Sequence, residues 1–231
     1  LNMFQISQYE LFPEIDEINH DTKIITKSQA VEILNERFGF EPQLVFDAIK
    51  SADNNFDYKS NLNPASGISR WGDINESIAQ QLLLLGYKHE RLNGQPTLIN
   101  EKYKIQLVVM SANKSIGNID APISSNCPKG SETETKIKLN QPDCEIETWF
   151  LYYPSRGHAI YQSDSPELIF EVAKPTSVYV VNEDKIFPIN HESRLIFTQD
   201  GESTSYISEF ADESINEDSF DIGYKVTGSD E

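Results

Sequence analysis

The spacing of apolar residues changes near Tyr87, and this change most constrains what the chain can fold into. Before it, apolar residues recur three and four positions apart, which is the period of an amphipathic helix. After it, apolar and polar residues alternate, which is the period of a strand with one buried face. The sequence therefore predicts an α+β fold, with a helical N-terminal region followed by a largely antiparallel β-sheet region.

Three helices are predicted in the first part of the chain. Thr26-Lys27-Ser28-Gln29 has the form of a capping box, and Gly39 is expected to end the helix that it begins. Pro42 suits the first position of a second helix. Residues 51–71, rich in Asn, Asp, Ser and Gly, are expected to be a surface connection. A third helix is predicted to begin near Asp73 and to end at Gly86, with its buried face formed by Ile74, Ile78, Leu82 and Leu85.

The second part of the chain is predicted to form strands. Asn93-Gly94 between two alternating stretches predicts a tight hairpin, and Trp149-Phe150-Leu151-Tyr152-Tyr153 is typical of a strand buried on both faces. Leu168 to Val172 fits either a short helix or a strand. The remaining predicted strands are 103–109, 132–139, 145–153, 159–161, 177–181, 185–189 and 194–198.

The predicted organisation has three parts: a helical region at 1–90, a β-rich region at 91–199 and an acidic C-terminal segment at 200–231. The first two regions can belong to one domain. Between the strands lies a long polar stretch, 111–130. Connections of that length inside a compact domain are uncommon, so we expect it to be mobile or to be ordered by a partner.

The net charge of −18, from 37 acidic against 19 basic residues, limits the classes of partner. Nucleic acids attract Lys and Arg, and the chain contains no run of either, so general nucleic-acid binding is disfavoured. An acidic chain instead suits a basic surface on another protein. No apolar run approaches the roughly 20 residues that span a bilayer. With two cysteines, Cys127 and Cys144, expected to be free thiols, the sequence favours a cytoplasmic protein.

One constellation suggests an enzyme. Asp120 precedes Glu134 and Lys136, and on a strand Glu134 and Lys136 would share one face. This trio resembles the Asp and Glu-x-Lys pattern of restriction-endonuclease-like nucleases. The resemblance implies that the two carboxylates hold Mg²⁺ while the lysine positions or activates the attacking water. The alternative is an ordinary amphipathic strand whose charges pair across the sheet.

The acidic C-terminal segment supports a different function. Residues 200–231 hold ten acids and one base, yet apolar residues run through them, and Phe220, Ile222, Tyr224 and Val226 alternate. A merely solubilising tail needs no such positions. The sequence therefore predicts a non-catalytic interaction protein, an inhibitor, immunity factor or complex subunit, that needs no cofactor. Its expected partner-binding residues are Glu209, Phe210, Asp212, Glu213, Glu217, Asp218, Phe220 and Asp221.

Overall fold

The computed structural model describes residues 22–55, 65–92, 95–138, 140, 144–162, 167–182 and 185–200. The described residues form four α-helices: α1 (Lys27–Phe38), α2 (Pro42–Asn54), α3 (Ala65–Leu84) and α4 (Ser131–Lys138). They also form nine strands: β1 (Lys23–Thr26), β2 (Lys88–Leu92), β3 (Gln95–Asn100), β4 (Ile105–Ala112), β5 (Glu147–Pro154), β6 (Ile169–Pro175), β7 (Val178–Asn182), β8 (Lys185–Pro188) and β9 (His191–Thr198).

Seven of these strands form one mixed sheet in the order β1-β9-β6-β5-β4-β3-β2. The pairs β1–β9 and β4–β5 are parallel, and the other four pairs are antiparallel. β7 and β8 form a separate antiparallel hairpin. A parallel pair cannot be joined by a tight turn, so the chain between β4 and β5 must cross back along the sheet, and α4 lies in that crossover.

Helices α1, α2 and α3 cover one face of the sheet. Leu34, Phe46 and Ile78, one from each helix, belong to the same buried cluster as Trp149 and Phe170 of the central strands. Aromatic edge contacts join the two layers, with 5.2 Å between the ring centroids of Phe38 and Trp149 and 5.0 Å between those of Phe46 and Phe170. The N-terminal helices therefore complete the core on this face of the sheet.

The opposite face of the sheet has its own smaller core. Alternate residues of the same strands, such as Phe150 and Tyr152, point to this side. They are covered by Ile137 of α4 and by Ile116 and Ile123 from the connection after β4. Residues 111–130 were expected to be a polar stretch that is mobile or ordered by a partner, but Ile116 and Ile123 of this connection are core residues that pack against the sheet of the chain itself.

Several sequence predictions are confirmed. The α+β class and the order of helices before most strands are as expected. α1 ends at Gly39, whose φ of 73° is the left-handed conformation that glycine adopts easily, and α2 begins at Pro42. β2 and β3 pair across the predicted Asn93-Gly94 turn, and Leu168 to Val172 is resolved in favour of a strand, because β6 begins at Ile169.

Other predictions are wrong in detail. Thr26 makes no side-chain capping bond. α3 begins at Ala65 and not near Asp73. Residues 65–72 include Ser and Gly, which have weak helix propensity, but Arg70 in this stretch is held by Asp53 of α2, and such a tertiary contact can outweigh local propensity. Leu85 lies beyond the end of α3 and is 45% exposed. The expected strand 159–161 is a 3-10 helix (Ala159–Gln162), and the expected strands 177–181 and 185–189 leave the main sheet as the β7–β8 hairpin.

Candidate interaction surface

Glu134 and Lys136 of the predicted nuclease trio lie on a helix and not on the expected strand. Residues 131–138 form α4, so the predicted strand 132–139 is wrong. Residues two apart on a helix are separated by roughly 200° around its axis, so Glu134 and Lys136 do not share a face. Glu134 instead pairs with Lys138 one turn later, at 2.8 Å. Asp120 is exposed in the connection after β4, where its N–H donates to Asn118 Oδ1.

Lys136 is the buried charged residue of this helix. Its ammonium group donates to Gln95 Oε1 at 3.1 Å, and Glu132 lies 3.9 Å away. Burial lowers the pKa of Lys136, while the neighbouring Glu132 opposes that effect. Thr133, Lys136 and Ile137 are spaced three and four residues apart and form the inward face of α4. The buried ammonium group of Lys136 has a hydrogen-bond acceptor there in Gln95.

No group of three or more His, Cys, Asp or Glu side chains within the described ranges is arranged to hold a metal ion. The magnesium site proposed for Asp120 and Glu134 stays a sequence prediction, but the strand geometry on which it depended is wrong. Cys127 and Cys144 are not joined by a disulfide bond, as expected. In the described part of the chain, no helix is long and apolar enough to cross a membrane.

Two buried charge clusters were not found from the sequence. In the first, Arg194 of β9 donates through Nε and Nη2 to both carboxylate oxygens of Glu171 on β6, at 2.8 and 2.9 Å. The guanidinium also donates to the carbonyls of Asn118 and Ala121, and Glu171 accepts from the N–H of Gly117. This pair therefore holds the connection after β4 against the sheet. In the sequence, Glu171 and Arg194 are charged residues inside the apolar runs of β6 and β9, and this pattern could have indicated a buried ion pair.

The second cluster is centred on Arg70 of α3. Its guanidinium donates to Asp53 Oδ1 at 2.6 Å, to Tyr161 Oη at 2.6 Å and to the carbonyl of Pro154 at 3.1 Å. It also lies over the ring of Tyr153, 5.4 Å from the centroid. Arg70 joins α2, α3 and the end of β5, and all these contacts are internal. We assign it to the stability of the fold.

An open groove of about 420 Å³ lies between α3 and one end of the sheet. Its walls are mainly apolar. They are formed by Trp71, Gly72, Asn75, Glu76, Ala79, Gln80 and Leu83 of α3 and by His89, Pro96, Leu98, Leu107 and Val109 of the sheet. Its volume lies within the range of roughly 300–1,000 Å³ that ligand clefts have, but the groove is open to solvent.

The groove lies beside an open sheet edge. β2 is the last strand in the sheet order, and within the described ranges it pairs only with β3. The outer side of such a strand presents backbone N–H and C=O groups that another strand can bind. Leu83, Leu84 and Leu85 at the end of α3 are 46%, 88% and 45% exposed. These three leucines therefore leave apolar side chains partly exposed where the chain passes from α3 to β2.

The predicted partner-binding residues, Glu209 to Asp221, lie outside the described residues. Their sequence still shows where the charge is concentrated. Residues 1–21 hold five acids and no base, and residues 200–231 hold ten acids and one base. The residues between them hold 22 acids and 18 bases. Most of the net charge therefore belongs to the two terminal segments, and the body of the fold is close to balanced.

Comparison with known protein families, with curated proteins and with solved structures found no match to this chain.

Proposed function

We propose that this chain is a non-catalytic acidic interaction protein, an inhibitor, immunity factor or complex subunit, that binds a basic surface on another protein. The observation that carries the proposal is the separation of charge along the chain. Ten acids and one base lie in 200–231, against 22 acids and 18 bases in 22–199. The balanced body carries the fold, and the acidic segment supplies the attraction.

This separation has a physical consequence for binding. A net charge concentrated in one segment attracts a basic surface over a distance of about 10 Å at 0.1 M salt, and it raises the association rate more than it stabilises the final complex. The interspersed Phe210 and Phe220 supply apolar contact area, which is what slows dissociation. Binding is therefore expected to weaken steeply as the salt concentration rises.

The magnesium-dependent nuclease is not proposed as the function. No observation on the described residues favours it, because α4 directs Glu134 and Lys136 to different sides of a helix and Lys136 is committed to Gln95. It stays a prediction of the sequence alone. Divalent-dependent cleavage that is abolished by Lys136→Ala would bring it back.

The test compares two charge-neutralised variants of the full chain, each with six acids changed to the corresponding amides. The first variant changes the segment: Glu209, Asp212, Glu213, Glu217, Asp218 and Asp221. The matched control changes six exposed acids of the body: Glu32, Glu36, Glu41, Asp47, Glu90 and Asp120. Partners are captured from native cell extract with the wild-type chain, identified, purified and measured again at low and high salt.

We expect the segment variant to bind the partner much more weakly and the body control to bind it as the wild-type chain does, although both changes remove the same formal charge. The salt dependence should also be much weaker in the segment variant, because fewer charges are neutralised on binding. A partner that binds both variants equally, or binding that does not respond to salt, would overturn the proposal.

A further inference from the structure

We propose that residues 114–123, within the connection after β4, form a lid that mild acid releases. As two histidines at its attachments take up protons, the lid lifts from the sheet while the rest of the fold stays closed. Three features of the described residues support this device: a loop closed at its base, a single buried ion pair that holds its tip, and the positions of the two histidines. It is independent of the proposed function.

The lid is a compact loop whose two ends meet. The N–H of Asn113 donates to the carbonyl of Ser124 at 2.8 Å. The Asn113 side chain closes the same base, because its Oδ1 accepts from the N–H groups of Ser115 and Ser124. A loop that is closed at its base can open as a unit while the chain on either side of it stays paired.

The polar contacts at the tip of the lid meet in one buried ion pair. The N–H of Gly117 donates to Glu171 Oε1 at 2.6 Å. Arg194, the partner of Glu171, donates to the carbonyls of Asn118 and Ala121 at 3.0 and 2.8 Å. When the lid lifts, water reaches both charges, so part of the free energy lost with these bonds is recovered by hydration.

The apolar side of the lid covers the smaller core. The backbone at Gly117 lies directly on the sheet, because a Cβ at this position would collide with the side chain of Ile169 on β6. Ile116 and Ile123 of the lid belong to the same buried cluster as Tyr152 of β5. Lifting the lid therefore uncovers an apolar patch of the sheet and the neighbourhood of Tyr152.

The first histidine, His191, lies beside the ion pair that holds the tip. Its Nε2 is 3.2 Å from Tyr152 Oη, and Tyr152 pairs in register with Glu171 on the neighbouring strand. Arg194 lies three residues further along β9. On the other side, the hydroxyl of Thr22 donates to the carbonyl of His191 at 2.8 Å. A proton on His191 would thus be buried close to the charge of Arg194.

Other charged groups on the described elements around His191 are engaged elsewhere. Lys174 of β6 pairs with Glu192 of β9, and Lys136 of α4 donates to Gln95. The remaining ones are exposed: Lys23 of β1, Asp120 of the lid and Lys185 of β8. The charge that acts on the buried ring is therefore that of Arg194.

The second histidine, His158, lies at the base of the lid. Its partly buried ring is hydrogen-bonded to the backbone of Lys114, the first lid residue, and its Nδ1 accepts from the N–H of Ile160 at 3.3 Å. A proton added at Nδ1 would remove the bond from Ile160 and place a second positive charge near Lys114. Both attachments of the lid are therefore sensitive to a proton.

The direction of the effect follows from proton binding. Burial together with the charge of Arg194 lowers the pKa of His191 from 6.5 to about 3, and burial together with the charge of Lys114 lowers the pKa of His158. In the lifted state both rings meet water and bind protons that the closed state does not, so lifting is favoured as the pH falls below about 6.5. Between pH 7 and pH 5, His191 alone should raise the population of the lifted state about 25-fold.

Residue-resolved amide hydrogen exchange on the isolated full chain at pH 7 and pH 5 tests the lid. Each rate is expressed as a protection factor, relative to an unstructured peptide at the same pH. The Gly117 amide reports on the lid, and the Leu151 and Val172 amides report on the central sheet. A series at low urea concentrations separates local from global opening, because global unfolding exposes far more surface and therefore responds more steeply to urea.

We expect the protection factor of Gly117 to fall about 25-fold or more from pH 7 to pH 5 and to be almost independent of urea. The protection factors of Leu151 and Val172 should be higher than that of Gly117 at both pH values and should fall steeply with urea. A Gly117 amide with the same urea dependence as Leu151 would overturn the inference, because the lid would then open only when the whole chain unfolds.

Three single variants assign the proton. His191→Gln should remove most of the fall in the Gly117 protection factor between pH 7 and pH 5, and His158→Gln should remove part of it. The matched control is His89→Gln, the same chemical change at an exposed histidine of β2, which should leave the full effect. An unchanged pH dependence in His191→Gln would also refute the lid. If that variant does not fold, the urea series on the wild-type chain still decides.

Discussion

At the scale of single residues, the pair Glu171–Arg194 shows how this fold keeps charges inside. Taking two charges out of water costs several kcal/mol each, and their attraction offsets that cost only when their remaining hydrogen bonds are made. Here Arg194 also donates to Asn118 and Ala121, and Glu171 accepts from Gly117. The main contribution of the pair is therefore to hold the connection after β4 against the sheet, and the ion pair alone is expected to add little to the free energy of unfolding.

Glu171→Gln should lower the free energy of unfolding by about 3–5 kcal/mol, because it leaves the Arg194 charge buried without a counter-charge. The matched control is Glu192→Gln, which removes one of the two carboxylate partners of Lys174, at a position where the Glu192 side chain is 60% exposed; Glu147 still pairs with Lys174. Exposed pairs contribute about 0–1 kcal/mol. Urea denaturation measures both. Equal losses of unfolding free energy in the two variants would show that the buried pair stabilises the fold no more than the more exposed pair does.

His191 gives the fold a dependence on pH. The imidazole is buried with Nε2 3.2 Å from Tyr152 Oη, and burial together with the charge of Arg194 lowers the pKa of His191 from 6.5 to about 3. Between about pH 6.5 and about pH 3 the unfolded chain therefore binds a proton that the folded chain does not. In that window, stability falls as the pH falls.

Between pH 7 and pH 5 this one residue should cost the wild-type chain about 2 kcal/mol of unfolding free energy. His191→Gln cannot take up the proton, so its stability should fall by about 2 kcal/mol less over the same interval, even if the variant is less stable at pH 7. Urea midpoints at the two pH values test this. Parallel pH profiles would contradict the assignment.

At the scale of elements, the helix ends are set by glycines for two distinguishable reasons. Gly39 and Gly86 both have positive φ, 73° and 87°. A side chain at Gly86 would meet nothing within 4 Å, whereas a Cβ at Gly39 would lie 2.6 Å from the hydroxyl of Tyr103. Gly86 is therefore needed only for its backbone conformation, and Gly39 is needed for conformation and for space.

The two alanine substitutions separate these reasons. Gly86→Ala should cost about 1–2 kcal/mol, the conformational term alone. Gly39→Ala should cost that amount and a further term of about 1–3 kcal/mol for overpacking against Tyr103. Thermal or urea unfolding gives the difference. Combining Gly39→Ala with Tyr103→Ala should recover the second term, and no recovery would show that the close approach is not the cause.

At the scale of the whole molecule, the N-terminal helices and the later strands share one core. Phe46 of α2 contacts Phe170 of β6, and β1 pairs with β9 from the other end of the described chain. Contacts between residues so far apart in sequence couple the helical region predicted at 1–90 to the β-rich region predicted at 91–199. We expect the two to unfold together.

Phe46→Ala should lower the unfolding free energy by about 3–5 kcal/mol. It should move the far-ultraviolet circular dichroism transition, which reports mainly helix, and the tryptophan fluorescence transition by the same amount. Leu84→Ala, at a residue that is 88% exposed, should change neither by more than about 0.5 kcal/mol. A variant in which the helical signal is lost first would show that the two regions are separate folding units.

Local patterns in the sequence were enough to predict much of this fold. The change from helical to alternating period predicted the α+β class, Gly39 and Pro42 predicted the boundary between two helices, and Asn93-Gly94 predicted a hairpin. These predictions depend on backbone preferences of a few neighbouring residues, which act wherever the segment lies. The C-terminal binding residues also come from the sequence, and they stay a prediction.

Features that depend on residues far apart in the sequence were decided only by the tertiary structure. Residues 131–138 fit a strand by their alternation and a helix by the spacing of Thr133, Lys136 and Ile137. The choice is made by the parallel pairing of β4 with β5, which requires a crossover, and by Gln95, which receives the buried ammonium group. The burial of Glu171 and Arg194 and the groove beside β2 are likewise invisible locally. Each depends on contacts between elements, because the cost of burying a charge or leaving an edge open is set by what packs against it.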